Sequence, residues 1–376
     1  MIKGGITYRE LKKKYGDFAY PKVFLSVGGK LLKDNRAKLV LTDVTVDVSV
    51  GYEASILTFS LYQVYDEASG SYRLKDFKDY VMLGSKAEIS MGYGEKLEKL
   101  FVGFISQVRF VKEQETIHHV EVTAMDIKGI MMANGCARQL LAGNFGDGVK
   151  EIFDKSLYQK LKAEGIFAGA KIMDTPDKKD ACTLEMVWES DYEFVVKAAK
   201  YFNYEFFVER GTVYFRRAKE TGEASLLELS CEEGLSFYDI SYDITGLVKK
   251  VEVRGMDASK GQVISAVKQV SNKISLGTRA KSLIGKTEKV VMDAGVYSKE
   301  QAQYRADSLM EEISYRFGNL ECECVGLPEL MPGHFVDIAG LSQGCDNRFY
   351  ITNATHVIND TEGYKTFLTG KAASLK

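Results

Sequence analysis

Between Val44 and Val50 the chain alternates strictly, with Val44, Val46, Val48 and Val50 pointing one way and Thr45, Asp47 and Ser49 the other. Successive side chains of a strand point to opposite faces, so this pattern predicts a strand with core on one side and water on the other. The same texture returns at residues 56–62, 86–93, 100–105 and 119–124, separated by Gly-rich or charged turns. Residues 21–126 are therefore expected to form a small antiparallel barrel or sandwich. Residues 1–20 are polar and Lys-rich, with Lys12-Lys13-Lys14 as their charge run, and are read as an N-terminal arm.

At Asp126 the period changes. Val149, Ile152, Phe153, Leu157 and Leu161 recur at helical spacing between Gly148 and Gly165, which predicts one helix there. Ser190 followed by Glu193 has the form of a capping box for a second helix carrying Phe194, Ala198 and Phe202 on one stripe. Residues 204–208 and 212–216 are aromatic-rich strands joined across Glu209-Arg210-Gly211 as a hairpin. Residues 127–234 thus read as an α+β inserted module. Alternation resumes at Leu247, Lys249, Val251 and Val253, so 235–376 is a second strand-rich region. One long helix, about 298–317, interrupts it. Ser298 and Gln301 would cap that helix, Ala302, Ala306, Leu309, Ile313 and Phe317 line it, and Gly318 would supply a left-handed C-cap.

Composition bounds the function. At a prior of about 150 residues per domain, 376 residues make two or three domains. Fifty Lys plus Arg against 52 Asp plus Glu leave a net charge of -2, so no global field draws the chain to nucleic acid or an anionic membrane. The N-terminus lacks the apolar region of a signal peptide, and no run is long and apolar enough to span a bilayer. Synthesis in the cytoplasm is expected, with the cysteines kept as thiols.

No catalytic, cofactor-binding or metal-binding residue is assigned. Gly92-Tyr93-Gly94 and Gly146-Asp147-Gly148 lack the third glycine of a dinucleotide fingerprint, and there is no phosphate loop, Gly-x-Ser-x-Gly elbow or His-Glu-x-x-His. Cys322 and Cys324, with Cys345 and His334 further along, are the best candidate metal ligands. In an extended strand, however, both thiols share a face with Leu320 while Glu321 and Glu323 face away, so core packing is the favoured reading. The aromatic hairpin 204–217, flanked by Lys200, Arg210, Arg216 and Arg217, could stack single-stranded bases. Backed by a helix, the same rings more simply fill a core.

The order of these signals resembles the phage late control D and VgrG-like baseplate hub proteins of contractile tails and related injection systems. The resemblance is carried by Pro21-Lys22-Val23-Phe24-Leu25 with Gly28-Gly29, by residues 101–105 and 120–126 ending at Asp126, and by the 189–194 helix start followed by the aromatic hairpin. Residues 248–255, ending at Gly255, resemble the opening strand of the family's second barrel. The most specific run is the Ala302/Ala306 helix followed by Gly326-Leu327-Pro328-Glu329-Leu330-Met331-Pro332-Gly333, then 350–356 ending at His356, then Gly363-Tyr364-Lys365-Thr366. Asp126, Gly255, Pro332, Gly333, His356, Gly363 and Tyr364 are the positions it marks as structural.

The resemblance implies a mainly β fold with an α+β insertion, in which two small antiparallel, tube-like β-barrels flank the helix-plus-hairpin module. It further implies a homotrimer whose six barrels form a ring, adapting a sixfold tail tube to a threefold spike and lining the delivery channel. Exposed barrel edges would pair between subunits. The implied partners are the tail tube protein, a spike and other baseplate or tape-measure proteins, with no membrane, no specific nucleic acid and no cofactor. VgrG proteins continue into a spike, whereas this sequence ends at Lys376, so the spike and any wall-cutting activity are expected on a separate polypeptide. The chain would be made in the bacterial cytoplasm and assembled into a virion or tail-like particle. The rival readings are a tail-associated cell-wall hydrolase and a nucleic-acid-binding module using the hairpin.

Overall fold

The computed structural model describes residues 5–32, 39–113, 117–177, 184–219, 224–257, 260–270, 278–342 and 345–375. Val44, Val46 and Val48 are buried and Asp47 is exposed, as their alternation requires. Their strand, Val40–Ser49, carries a bulge at Asp43, whose φ of 53° turns the strand where the register shifts between Thr42 and Thr45. On one side it pairs with Ile56–Tyr62. On the other it pairs with Asn347–Asn359, placing His356 opposite Val46.

That pairing joins the two strand-rich regions into one 13-stranded sheet. The fold is mostly β, with 47% of the chain in strand and 21% in helix. Among the described residues the strand order is open, ending at Leu235–Tyr242 on one side and Lys30–Leu31 on the other, and no ring of strands closes. The reason lies in the core. Val46, Phe59 and Leu100 from the first region pack in the same continuous cluster as Leu320, Phe349 and Leu368 from the second. One shared core needs no second closed layer.

The N-terminal segment belongs to this body. Tyr8–Lys14 is a helix whose Thr7 and Glu10 form a capping box, and Leu11 and Tyr15 reach into the shared core at 1% and 2% exposure. Its Lys-rich sequence conceals this because only one narrow stripe turns inward.

The inserted module has its own core, in which Val149, Ile152, Tyr158 and Phe194 meet Phe206 and Phe215. Where one helix was expected there are two, Phe145–Phe153 and Ser156–Ala163. Lys155 leaves helical geometry (φ -57°, ψ 143°) and turns its ammonium onto the fully buried Asp191 carboxylate, which also accepts from Tyr158 Oη at 2.7 Å. The Ser190–Glu193 capping box is formed, and Asp191–Phe202 ends at Asn203 in left-handed backbone. Tyr204–Glu209 and Thr212–Arg217 make the hairpin, with Arg210 and Gly211 at φ 50° and 84° forming its two-residue turn.

Residues 244–317 contain a third core. Lys250–Asp257 is the centre of a separate three-stranded sheet, antiparallel to Gln262–Gln269 and parallel to Glu288–Met292, and Lys299–Ser314 covers one face. Ala302, Ala306, Met310 and Ile313 pack there on Val251 and Val253. Residues 248–255 therefore lie outside the large sheet. The long helix stops at Ser314, and Gly318 opens the strand Gly318–Val325 instead of capping the helix in left-handed backbone. A Cβ on Gly318 would stand 2.9 Å from that of Ala372, so the glycine serves strand contact.

Candidate functional site

The positions that sequence marks do not converge on one cavity. Asp126 and Gly333 fall where cores meet, Gly255 lies inside the third core, and His356, Gly363 and Tyr364 lie within the large sheet.

Asp126 ends the strand His119–Met125 and is fully buried. Its carboxylate accepts from Ser55 N at 2.7 Å and Lys128 N at 2.8 Å. Lys128 is equally buried, and its ammonium donates to the carbonyls of Glu53, Gly51 and Tyr52 at 2.7, 3.2 and 3.4 Å. One cation thereby ties the loop after the Val40 strand to the short helix Lys128–Ala133 that opens the module. Burial drives the Lys128 pKa down to about 8, against the pull of Asp126 and Glu53, and drives the Asp126 carboxyl up.

Gly333, after the buried Pro332, has φ 89°, and a Cβ there would lie 2.5 Å from the Arg216 guanidinium. Arg216 Nη2 donates to the Gly333 carbonyl at 3.1 Å, Nε pairs with Glu205 at 3.2 Å, and the guanidinium lies 4.8 Å from the Phe207 ring centre. Tyr350 Oη donates to the other Glu205 oxygen at 2.6 Å. Glu205, Arg216 and Tyr350 thus clamp the aromatic hairpin onto the large sheet. Desolvation raises the Glu205 carboxyl, with Tyr350 and Arg216 opposing it.

His356 is wholly buried, its Nδ1 lying 3.0 Å from Tyr364 Oη and 3.2 Å from Thr366 Oγ1. With Nδ1 unprotonated, its single lone pair accepts from one of these hydroxyls at a time. Burial pushes the ring's pKa down to about 3, the Leu330 backbone pulling weakly the other way. Gly363 holds the preceding turn at φ 72°. Tyr364 lies flat on Gly326, where a Cβ would come within 2.1 Å of the ring, and Tyr93 Oη donates to the Gly326 carbonyl at 2.9 Å. Gly255 belongs to the third core, where a Cβ would stand 2.3 Å from the Val296 carbonyl.

The sequence marks these positions without saying which of them meet; in the structure His356 meets Tyr364, while Asp126, Gly255 and Gly333 stand in separate places. It does not single out Lys128, Glu205 or Tyr350, and it names Arg216 only as a cation beside the hairpin and Gly326 only within the 326–333 run. A signal for one pair was present, since Glu205 is a lone acid in the run 204–208 and faces Arg216 directly across the hairpin register. Cys322 and Cys324 lie in the shared core, and burial lifts the Cys322 thiol to about 12. The described residues hold no cluster of three or more His, Cys, Asp or Glu able to take a metal ion. Phe206, Phe207 and Phe215 of the hairpin are fully buried, so these rings offer no stacking platform. Among the described residues no helix is long and apolar enough to cross a membrane.

Residues 64–360 match the family model described as the Alg8 N-terminal domain. This is not the hub family that the sequence motifs resemble. No curated protein sequence matches. In fold, the chain is similar to a tail protein from Neisseria meningitidis (TM-score 0.66, 14% identity, covering 94% of this chain and 97% of that one). It is similar to the 43 kDa tail protein of a Shewanella oneidensis prophage (TM-score 0.66, 14% identity, 94% and 98% covered). It is also similar to an Escherichia coli component of the type VI secretion system, itself described as structurally similar to bacteriophage tail proteins (TM-score 0.54, 10% identity, 94% and 78% covered).

Proposed function

We propose, for a chain that belongs to the Alg8 N-terminal domain family and has the fold of phage tail proteins, that its role is that of a structural baseplate hub in a contractile phage tail or phage-tail-like particle. The observation that carries this reading is the match of the whole fold, which spans 94% of this chain and 97% of the Neisseria tail protein. The marked positions are consistent with it. Asp126 and Gly333 stand where cores meet, and His356 is buried within the large sheet with its ring held neutral, a poor position for a proton-transfer group.

The finer reading is a non-enzymatic homotrimer that adapts a sixfold tail tube to a threefold spike and lines the channel between them. Its partners would be the tube protein, a separate spike and other baseplate or tape-measure proteins, and it would leave the bacterial cytoplasm as part of the particle. The open edge at Leu235–Tyr242, with Phe237 53% and Tyr238 42% exposed, supports pairing between subunits. The test is to tag the chain in its host and purify particles. Tagged chain at a fixed, low copy number at the tail tip is expected. Particles lacking it, or zones of cleared peptidoglycan around the purified chain that vanish on a single carboxylate substitution, would overturn the reading.

A further inference from the structure

The link between the N-terminal helix and the first strand of the large sheet is strained. Gly16, Asp17, Phe18 and Tyr20 have φ of 57°, 58°, 59° and 60°, so four of the five residues between Tyr15 and Pro21 stand in left-handed backbone. Only glycine enters that region freely, and other residues visit it singly, not in runs. Phe18 is held there by packing, its ring centre 5.4 Å from that of Tyr93. Asp17 and Tyr20 are exposed, Tyr20 at 83%, so no burial of their side chains repays the conformation.

What the strained turn preserves is the docking of residues 5–15 in front of it. Ile6 N donates to the Leu226 carbonyl at 2.9 Å, and the Tyr8 ring lies on Gly234, where a Cβ would come within 2.4 Å of it. Tyr15 Oη donates to Glu329 at 2.7 Å, and the Lys14 ammonium bridges Glu98 and Glu329 at 2.7 and 2.8 Å. These partners lie on the large sheet and its loops, and none lies within residues 16–20.

The same seat therefore exists on every copy of the chain. A helix of seven residues is marginal alone in water, so a segment that leaves its own seat needs another. Drawn out, residues 16–20 span about 17 Å at about 3.4 Å per residue, the reach available toward an adjoining copy. Crossing over keeps each contact of residues 5–15 and releases the left-handed run, and strain in a short hinge is what favours such exchange.

We infer that residues 5–15 are exchanged between copies of this chain, the N-terminal helix of one docking on the large sheet of the next. The inference rests on the trimer reading for what holds the copies side by side. Each chain then donates one helix and accepts one, an arrangement that closes in a ring.

The test uses native side chains. A carbodiimide condenses the Lys14 amine with the Glu98 or Glu329 carboxylate beside it, so the full chain is treated at rising concentration and run on a denaturing gel. Covalent dimers and trimers are expected, with mass spectrometry of those bands finding Lys14 joined to Glu98 or Glu329. Asp17→Gly/Tyr20→Gly relaxes the turn without touching the seat and should lower the ratio of multimer to single-chain product at least about tenfold. Amides confined to single chains at every concentration would overturn the inference, as would a relaxed variant that exchanges like wild type. A threefold ring whose Lys14 amides all stay within single chains sinks the exchange and leaves the trimer reading standing. Exchanged pairs that never close into threes do the reverse.

Discussion

His356 should make the protein acid-sensitive by a calculable amount. Its folded-state pKa is pushed from 6.5 down to about 3 by burial, so the unfolded chain binds the extra proton throughout that interval. Stability from this group is therefore fully present above the unfolded pKa and is lost as pH falls. At 1.36 kcal/mol per pKa unit, the loss from about pH 7.5 to about pH 5 is about 2 kcal/mol, and it grows as acid approaches the folded value. Glutamine at this position keeps an acceptor for Tyr364 Oη and does not titrate. The assay is urea unfolding of wild type and His356→Gln at both pH values, so that contributions from other carboxylates and histidines cancel in the difference. His356→Gln is expected to be the less stable protein near neutrality and to close about 2 kcal/mol of that gap at about pH 5. A gap that stays constant to within about 0.5 kcal/mol would refute the claim that this ring is held neutral by burial.

Three further outcomes follow from the joints. Gly326→Ala puts a methyl group 2.1 Å from the Tyr364 ring and should lower stability by about 3 kcal/mol or more, read as a lower midpoint in thermal unfolding; an unchanged midpoint would mean that Tyr364 does not lie on Gly326. Arg216→Met alone leaves the Glu205 carboxylate buried without its cation and should cost about 3–5 kcal/mol, while pairing it with Glu205→Leu should recover part of that; a double-mutant cycle in urea that comes out additive contradicts the clamp. Lys128, with its pKa depressed from 10.5 to about 8, has the opposite sense to a cation that gains a partner: its burial cost is full below about pH 8 and is relieved as pH rises toward the unfolded value. Wild type should accordingly gain about 2 kcal/mol relative to Lys128→Met between about pH 7.5 and pH 9.5, and a parallel pH dependence of the two proteins would contradict it.

Local order was legible in the sequence wherever one residue's neighbours in the chain decide its conformation. The Val44–Val50 alternation and the capping boxes at Ser190 and Ser298 each appear where the pattern places them, and the hairpin expected across Glu209-Arg210-Gly211 forms with Glu209 paired to Thr212, which leaves a two-residue turn. Long-range pairing was not. Nothing in the local period of residues 347–359 states that His356 lies beside Val46, more than three hundred residues away, and that single pairing turns two strand-rich regions into one sheet. The third core was hidden for the same reason, since Val251 and Val253 alternate equally well in a large sheet or a small one. Lys128 escaped because a lysine reads as surface; only its three carbonyl acceptors, supplied by the loop at 51–53, explain its burial.

Whether this fold works as an assembled tail component is decided by the mass of the purified chain in light scattering, followed by electron-microscope class averages of the same sample with the tail tube protein. A ring of three chains with a central channel, seated on the tube end, is the predicted result. A chain that stays monomeric and leaves the tube end bare in the presence of that protein would contradict it.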